Sequence, residues 1–436
     1  MEVARGSAFE VAPATIACPV CNSTSKRHSI ARRKVRDIDL DDQRTVEIRV
    51  GVYFCPSCQK HFRLQTGLAE KGKHYGKRSL EKSFTAVRDD KTTFTSLPSR
   101  LARDFHIKPS KSTCHRWFHE RADLIDFERD YEPKAVESFS GALAIDEVYD
   151  KEFCLFFATD PLNNRPVSFH LCRAGNTEEL KKFLLHLKSI GVTPEAIIVD
   201  GSNLYASVPQ EVWPKVKIQL CVFHSIRNCQ EDILNGIRAY YRSITTKTQR
   251  SFDFEKPEWW TRSVERKIRQ RKLLRTHRYI FTTRMENLSA EQRKVLYELC
   301  EHHNALRVFR QFEDDLLSLF AKNQTKEQAH EKLAVMITNP DYADNSYLRS
   351  ALARLGKGKF EKMITFLDYS NLECTTNNVE RTNRWFRKRQ KTHYRNRKER
   401  TIRNMLKADL SGRIFGTANN PVRLRRRGQD GGIMVA

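Results

Sequence analysis

Three acids far apart in the chain, Asp146, Asp200 and Glu380, have the types and settings that metal-dependent phosphoryl transfer requires. Asp146 follows the apolar stretch Ala142-Leu143-Ala144-Ile145, and Asp200 follows Ala196-Ile197-Ile198-Val199. Glu380 opens a strongly basic segment. Carboxylates from two strand ends and one helix can hold two hard divalent cations about 4 Å apart, activating an attacking oxygen and stabilising a leaving one. Any one of these acids alone reads as a solvated or capping carboxylate; the ordered set is what points to catalysis. Glu147 and Glu373 are rival ligands, Glu373 being the better substitute for Glu380. His224, three residues after Cys221, is read first as a histidine near the scissile phosphate and second as a packed, hydrogen-bonded one. Two ligands without partners do not close a zinc tetrahedron, so Cys221 is read as a small buried side chain.

A second constellation is Cys18-Pro19-Val20-Cys21 with Cys55-Pro56-Ser57-Cys58. The pairs flank two β-compatible stretches, His28–Val35 and Arg44–Phe54. Two knuckles around a hairpin make a zinc ribbon, in which four thiolates enclose a structural Zn²⁺. The knuckles are 33 residues apart with an acidic turn, Asp37–Asp42, between them, so the ribbon is elaborated beyond the minimal form. His61 is read as a surface or phosphate-facing residue rather than a ligand. The cysteines number eleven, and no basic segment leading into an apolar one opens the chain. Both features favour metal binding in a reducing compartment over a disulfide framework, hence a cytoplasmic, DNA-associated protein.

These residues must be positioned by a chain of 436 residues, long enough for about three domains. Its 78 Lys and Arg against 53 Asp and Glu leave a net charge of +25 and a pI near 9.7. That excess calls for a polyanion, since cationic contacts to phosphates release condensed counterions. The longest purely apolar run, Phe153–Ala158, is far too short for a membrane span.

Residues 96–106 and 110–123 read as two helices broken at Ile107-Lys108-Pro109, the pattern of a helix-turn-helix. The second would present Lys111, Ser112, His115 and Arg116 to the major groove of DNA. Strands are expected at Gly141–Ile145, Glu152–Thr159, Pro166–Cys172, Ala196–Val199 and Lys215–Cys221. A helix capped by Asn176 precedes the fourth, and another starts near Phe223. Three meandering strands followed by alternating helices and strands is the element order of an RNase H-like fold. Both aspartates then fall at carboxyl ends of strands, where open α/β sheets keep their sites. The 179 residues between Asp200 and Glu380 are too many for a loop and read mostly as a helical insertion. It contains a basic run from Arg266 to Arg278, with Trp259-Trp260 just before it as core residues or base-stacking platforms. On the helix that carries Glu380, positions 384, 387 and 391 share its face, so Arg384, Arg387 and Lys391 would clamp flanking phosphates. Residues 381–400 hold ten Lys and Arg and one acid, Glu399.

The expected architecture is therefore multidomain α/β. It runs as a zinc ribbon (1–70), a helix-turn-helix segment (71–137) and an RNase H-like domain in two parts (138–235 and 361–415). That domain is interrupted by an all-α insertion (236–360) and followed by a basic tail (416–436) containing Arg425-Arg426-Arg427.

The chain resembles the bacterial insertion-sequence transposases of the DDE class, near the Mutator-like group and its zinc-ribbon neighbours. The matching motifs are Ala144-Ile145-Asp146-Glu147, Val199-Asp200-Gly201, Cys221-Val222-Phe223-His224-Ser225-Ile226-Arg227-Asn228, and Asn377-Asn378-Val379-Glu380-Arg381-Thr382-Asn383. The resemblance implies that Asp146, Asp200 and Glu380 bind two Mg²⁺ or Mn²⁺, that Cys221 and His224 lie beside them, and that an α-helical insertion precedes the catalytic Glu. The function it implies is binding of terminal inverted repeats, cleavage, and transfer of the freed 3′-OH into target DNA. Synapsis of two ends would call for a homodimer or higher oligomer. The competing readings are a domesticated, non-catalytic DNA-binding regulator and a structure-specific RNase H-like nuclease.

Overall fold

Strands form where β-branched and aromatic residues cluster, and they assemble into two five-stranded mixed sheets. The computed structural model describes residues 9–38, 43–64, 69, 73–150, 152–244, 262–369, 372, 374–393 and 396–415. Two compact units result, one from residues 1–134 with 385–436 and the other from residues 135–384.

In the first unit, β1 (Phe9–Val11), β2 (Thr15–Ala17), β3 (Thr24–Ile38), β4 (Gln43–Phe54) and β5 (His61–Arg63) form a sheet around the long β3–β4 hairpin. Its register runs from Lys26 opposite Phe54 to Ile38 opposite Gln43, and β2 pairs with β3 while β1 and β5 pair with β4. Val35, Ile48 and Val50 are buried together on this hairpin. Helices α1 (Lys77–Arg88), α2 (Leu97–Phe105) and α3 (Lys111–Asp123) follow. His106 closes α2 in the left-handed conformation (φ 55°), and Ser110 caps α3 by accepting from the Thr113 amide at 3.1 Å.

Two later helices are α11 (Asn377–Thr392), on which the division between the units falls, and α12 (Glu399–Phe415). Met405 and Ala408 of α12 share one core with Phe84, Val87, Leu97, Leu101, Phe118 and Ala122. Residues 385–415, expected to continue the catalytic domain, thus belong to the N-terminal unit. The reason is apolar: Ile402, Met405, Leu406, Ala408 and Leu410 are all buried, and α12 covers α1 and α3. In the same unit Asp409 sits under Arg389 (3.1 Å) and Lys91 (2.9 Å), and Arg389 also donates to the Val87 carbonyl at 2.6 Å.

The second unit holds β6 (Ala142–Asp150), β7 (Phe153–Asp160), β8 (Arg165–Cys172), β9 (Ala196–Val199) and β10 (Lys217–Leu220) in the order β10-β9-β6-β7-β8. The β6–β7–β8 meander is antiparallel, and β9 and β10 add in parallel on the other side of β6. Helix α4 (Thr177–Ser189) buries Leu180, Phe183, Leu184 and Leu187, the helical spacing its sequence carries. After β10, α5 (Val222–Ser243) begins a stretch to residue 369 in which every described regular element is helical. The labelled helices there are α6 (Arg262–His277), α7 (Ala290–His302), α8 (Asn304–Ser318), α9 (Lys326–Thr338) and α10 (Ser346–Arg354). Glu313 of α8 is fully buried and takes a 2.7 Å hydrogen bond from Gln230 of α5. The basic run on α6 is exposed at Arg266, Lys267, Arg269, Lys272 and Arg275, with Arg269 paired to Glu298 at 2.8 Å. Trp259, Trp260 and the 425–427 arginines lie outside the described residues, as does Glu373. No helix among the described residues is long and apolar enough to cross a membrane.

Candidate active site

The site grows from the middle of β6. Ala142, Leu143, Ala144 and Ile145 are buried by neighbours on both faces of the sheet, and β9 pairs with β6 only as far as Ala144. Asp146 is the second residue beyond that point, where one side of β6 has lost its partner. The sequence places Asp146 at the end of a strand; β6 instead continues through it to Asp150, because β7 keeps pairing along the whole hairpin. Asp200 does follow directly on its strand, β9. Its Oδ1 accepts from the Ser202 amide at 2.8 Å across the turn at Gly201, whose φ of +79° suits glycine.

Glu380 arrives from the far end of the unit on the first turn of α11. The start of this helix is pinned to the end of β10 through Cys221. The Cys221 sulfur accepts from the Thr376 amide (3.3 Å) and lies 3.2 Å from the Thr376 hydroxyl oxygen, and the Val222 amide donates to the Cys374 carbonyl at 2.9 Å. Thr376 also donates to Glu380 Oε1 at 3.2 Å. His224, in the first turn of α5, then brings Nε2 to 3.6 Å from Glu380 Oε1. Three residues along α11, one turn on and near the same face, buried Asn383 donates to Asp146 Oδ2 at 2.6 Å. One helix therefore reaches both His224 and Asp146.

The electrostatics record the crowding. Burial first, then the Glu147 and Asp200 carboxylates, push the Asp146 pKa up to about 7. Glu147 is raised by burial as well, although it accepts a hydrogen bond from the Tyr205 hydroxyl. The Cys221 thiol beside it, then Glu380 and Asp200, lift the His224 imidazole to about 9. Asp146 and Glu147, both raised by burial and by the Asp200 carboxylate, are donors suited to a cation. Asp146, Asp200 and Glu380 do not close to within 4.8 Å of one another, as two groups among the described residues do. One of those two is the cysteine set.

Cys18 and Cys21 sit in the turn between β2 and β3, and Cys55 and Cys58 in the turn between β4 and β5. Their sulfurs approach at 3.6 Å (Cys18 to Cys58) and 3.4 Å (Cys21 to Cys55), against about 3.8 Å along the edge of a tetrahedral zinc–thiolate site. The cluster fits a zinc ribbon. Backbone hydrogen bonding at Cys58 lowers the Cys55 thiol to about 6, while burial raises the Cys58 thiol.

Of the expected DNA-facing residues, Lys111, Ser112, His115 and Arg116 are exposed on α3, while Cys114, Trp117, Phe118 and Ala122 face the core. Arg384, Arg387 and Lys391 are exposed on α11, while Val379, Thr382, Asn383 and Phe386 are buried. Sequence reasoning did not single out Asn383, Tyr205 or Thr376. Each is a neutral polar residue whose role depends on what it is folded against; Asn383 alone had a signal, its place one turn after Glu380.

Crowded carboxylates on a mixed sheet, in a chain of net charge +25, suit a cationic cofactor and a polyanionic substrate. A family model of transposases, the ISL3 group of the DDE class, matches residues 143–394. That is more than half of the chain, and the protein belongs to this transposase family. No curated protein sequence matches it. Among solved structures, the Drosophila P element transposase strand transfer complex matches at 12% identity, covering 81% of this chain and 95% of that one, with a TM-score of 0.35.

Proposed function

We propose that this transposase binds the terminal inverted repeats of an insertion sequence and performs both DNA cleavage and strand transfer at a site built from Asp146, Asp200 and Glu380. The observation that carries this is the reach of α11: Glu380 meets His224 at 3.6 Å while Asn383 bonds Asp146 at 2.6 Å. An acid 180 positions beyond Asp200 in sequence thus sits one turn from an asparagine that contacts Asp146, which supports the reading. The strand order β10-β9-β6-β7-β8, antiparallel then parallel about β6, supports an RNase H-like reading of the unit.

Asp146, Asp200 and Glu380 would hold two Mg²⁺ or Mn²⁺, which when bound make water or a 3′-OH nucleophilic at neutral pH and neutralise the leaving oxygen. Asn383 orients the Asp146 carboxylate, and Thr376 orients that of Glu380. His224, 3.6 Å from Glu380, would face the phosphate that is to be cut. The ribbon with Zn²⁺ and the exposed face of α3, read as the second helix of a helix-turn-helix, would recognise the ends. Arg384, Arg387 and Lys391 would grip flanking phosphates. Two ends joined in one reaction call for a homodimer or larger assembly.

The test is cleavage and joining of DNA bearing the element's ends with Mg²⁺ or Mn²⁺ and with EDTA. Wild type should give metal-dependent 3′-OH ends that join target DNA. Glu380→Ala should bind ends and cut nothing, and normal cutting by that variant refutes the assignment.

A further inference from the structure

A second group of metal-type side chains lies on strand β8 and the first turn of α4. His170 Nε2, Cys172 Sγ and a Glu179 carboxylate oxygen lie within 4.8 Å of one another. His170 and Cys172 are two residues apart on one strand and so point to the same face. Glu179 is placed by the first turn of α4, where Asn176 accepts from its amide at 2.9 Å. The His170 ring is fixed by stacking on Phe183 (5.9 Å) and Phe156 (6.4 Å), with Nε2 2.8 Å from Glu179 Oε2. Cys172 is half-buried, and its Sγ reaches the carbonyls of Cys154 (3.4 Å) and Ala174 (3.3 Å).

We infer that His170, Cys172 and Glu179 bind a first-row divalent transition metal, Zn²⁺ foremost, as a site separate from the four-cysteine cluster. The donor set selects the ion: imidazole with thiolate suits zinc, whereas Mg²⁺ and Ca²⁺ take oxygen ligands. A thiolate and a carboxylate balance the charge of the ion, and three protein ligands leave the fourth position for water. Opening the His170–Glu179 contact from 2.8 Å to the roughly 3.4 Å edge of such a tetrahedron requires only a small side-chain rotation. An ion pair with Lys182 (2.8 Å to Glu179) holds the acid and the histidine, and the Cys172 thiol, which donates to a backbone carbonyl as S–H, would become a ligand on releasing that proton. The ion would fasten the start of α4 to the last strand of the sheet.

The experiment counts zinc by elemental mass spectrometry on the full chain, purified without chelator and dialysed against Mg²⁺ so that the carboxylates hold Mg²⁺. Wild type should carry two zinc ions per chain, and His170→Ala and Cys172→Ser one each, with unchanged far-UV circular dichroism. One ion in wild type and one in each variant overturns the inference, as does two in all three. One in wild type and none in the variants upholds the inference and removes the ribbon's zinc instead. Should both variants misfold, Glu179→Gln keeps the size and a hydrogen bond to His170, and its zinc affinity should fall about tenfold or more. Unchanged zinc affinity in Glu179→Gln overturns the site.

Discussion

Replacing Asn383 with alanine tests whether α11 assembles the site or merely passes near it. The Asn383 amide and the Asp146 carboxylate are 2.6 Å apart, with Asn383 buried and Asp146 half-buried. A hydrogen bond to a charged group in such a place contributes about 1.5–3 kcal/mol. If that contribution is expressed when the site holds metal and scissile phosphate, its loss slows cleavage by roughly 10- to 150-fold at 1.4 kcal/mol per decade. The assay is single-turnover cleavage of a pre-nicked terminal-repeat duplex at fixed Mg²⁺, with end binding measured in EDTA as the control. Binding should be unchanged while the rate falls and the Mg²⁺ requirement rises. Asn383→Asp should be worse than alanine, because it sets another carboxylate against Asp146, Glu147 and Asp200. Cleavage at the wild-type rate by Asn383→Ala would refute the claim that α11 positions Asp146.

Three further outcomes are expected. Burial lifts Glu313 from 4.5 to about 7, so its proton is bound in the folded chain; the stability this confers is complete below about 4.5 and is lost as pH rises to about 7. Glu313→Gln should therefore flatten the loss of up to ~3 kcal/mol between pH 5 and pH 8 seen by urea unfolding, and an unchanged slope counts against it. Asp409→Ala strands buried Arg389 and should destabilise the N-terminal unit by about 3–5 kcal/mol, whereas Asp409→Leu with Arg389→Met should recover most of that in thermal melts. Lys111→Ala and Arg116→Ala should each reduce the salt dependence of end binding by about one counterion, measured by fluorescence anisotropy across salt concentrations; slopes equal to wild type would take α3 off the DNA.

Much of the strand and helix pattern is legible in the residues, since local periodicity determines it. Ala196–Val199 forms the strand its apolar run predicts, and Ser110 caps α3 where the break at Lys108-Pro109 predicts a new helix. The four cysteines converge because Cys-x-x-Cys turns at two hairpin ends can do little else. What the chain alone does not disclose are decisions made by distant partners. Asp146 looks like a strand end because the apolar run stops there, yet β7 carries β6 four residues farther. The Asn383 contact joins residues 237 apart; its place one turn after Glu380 put it near the site, but nothing local named Asp146 as its partner. The allegiance of α12 has the same origin. Its apolar stripe shows that it packs against something, and only the folded chain reveals that Phe84, Phe118 and Ala122 are the other half of that core.

That shared core ties the order of synthesis to competence. Met405 and Ala408 complete an interior begun by residues 84–122, and Asn404 bonds His119 at 3.0 Å and Asp123 at 2.7 Å. On the ribosome, the unit that begins first is finished last. A nascent chain stalled before residue 399 would carry α1, α2 and α3 with one wall missing and their apolar faces wet. Premature termination before α12 would then yield a fragment lacking a finished N-terminal unit, even with the ribbon and α3 fully translated, and quality control should remove it. Translation through α12 is in this sense a licence for folding of the first unit, issued only once Glu380 has also been made.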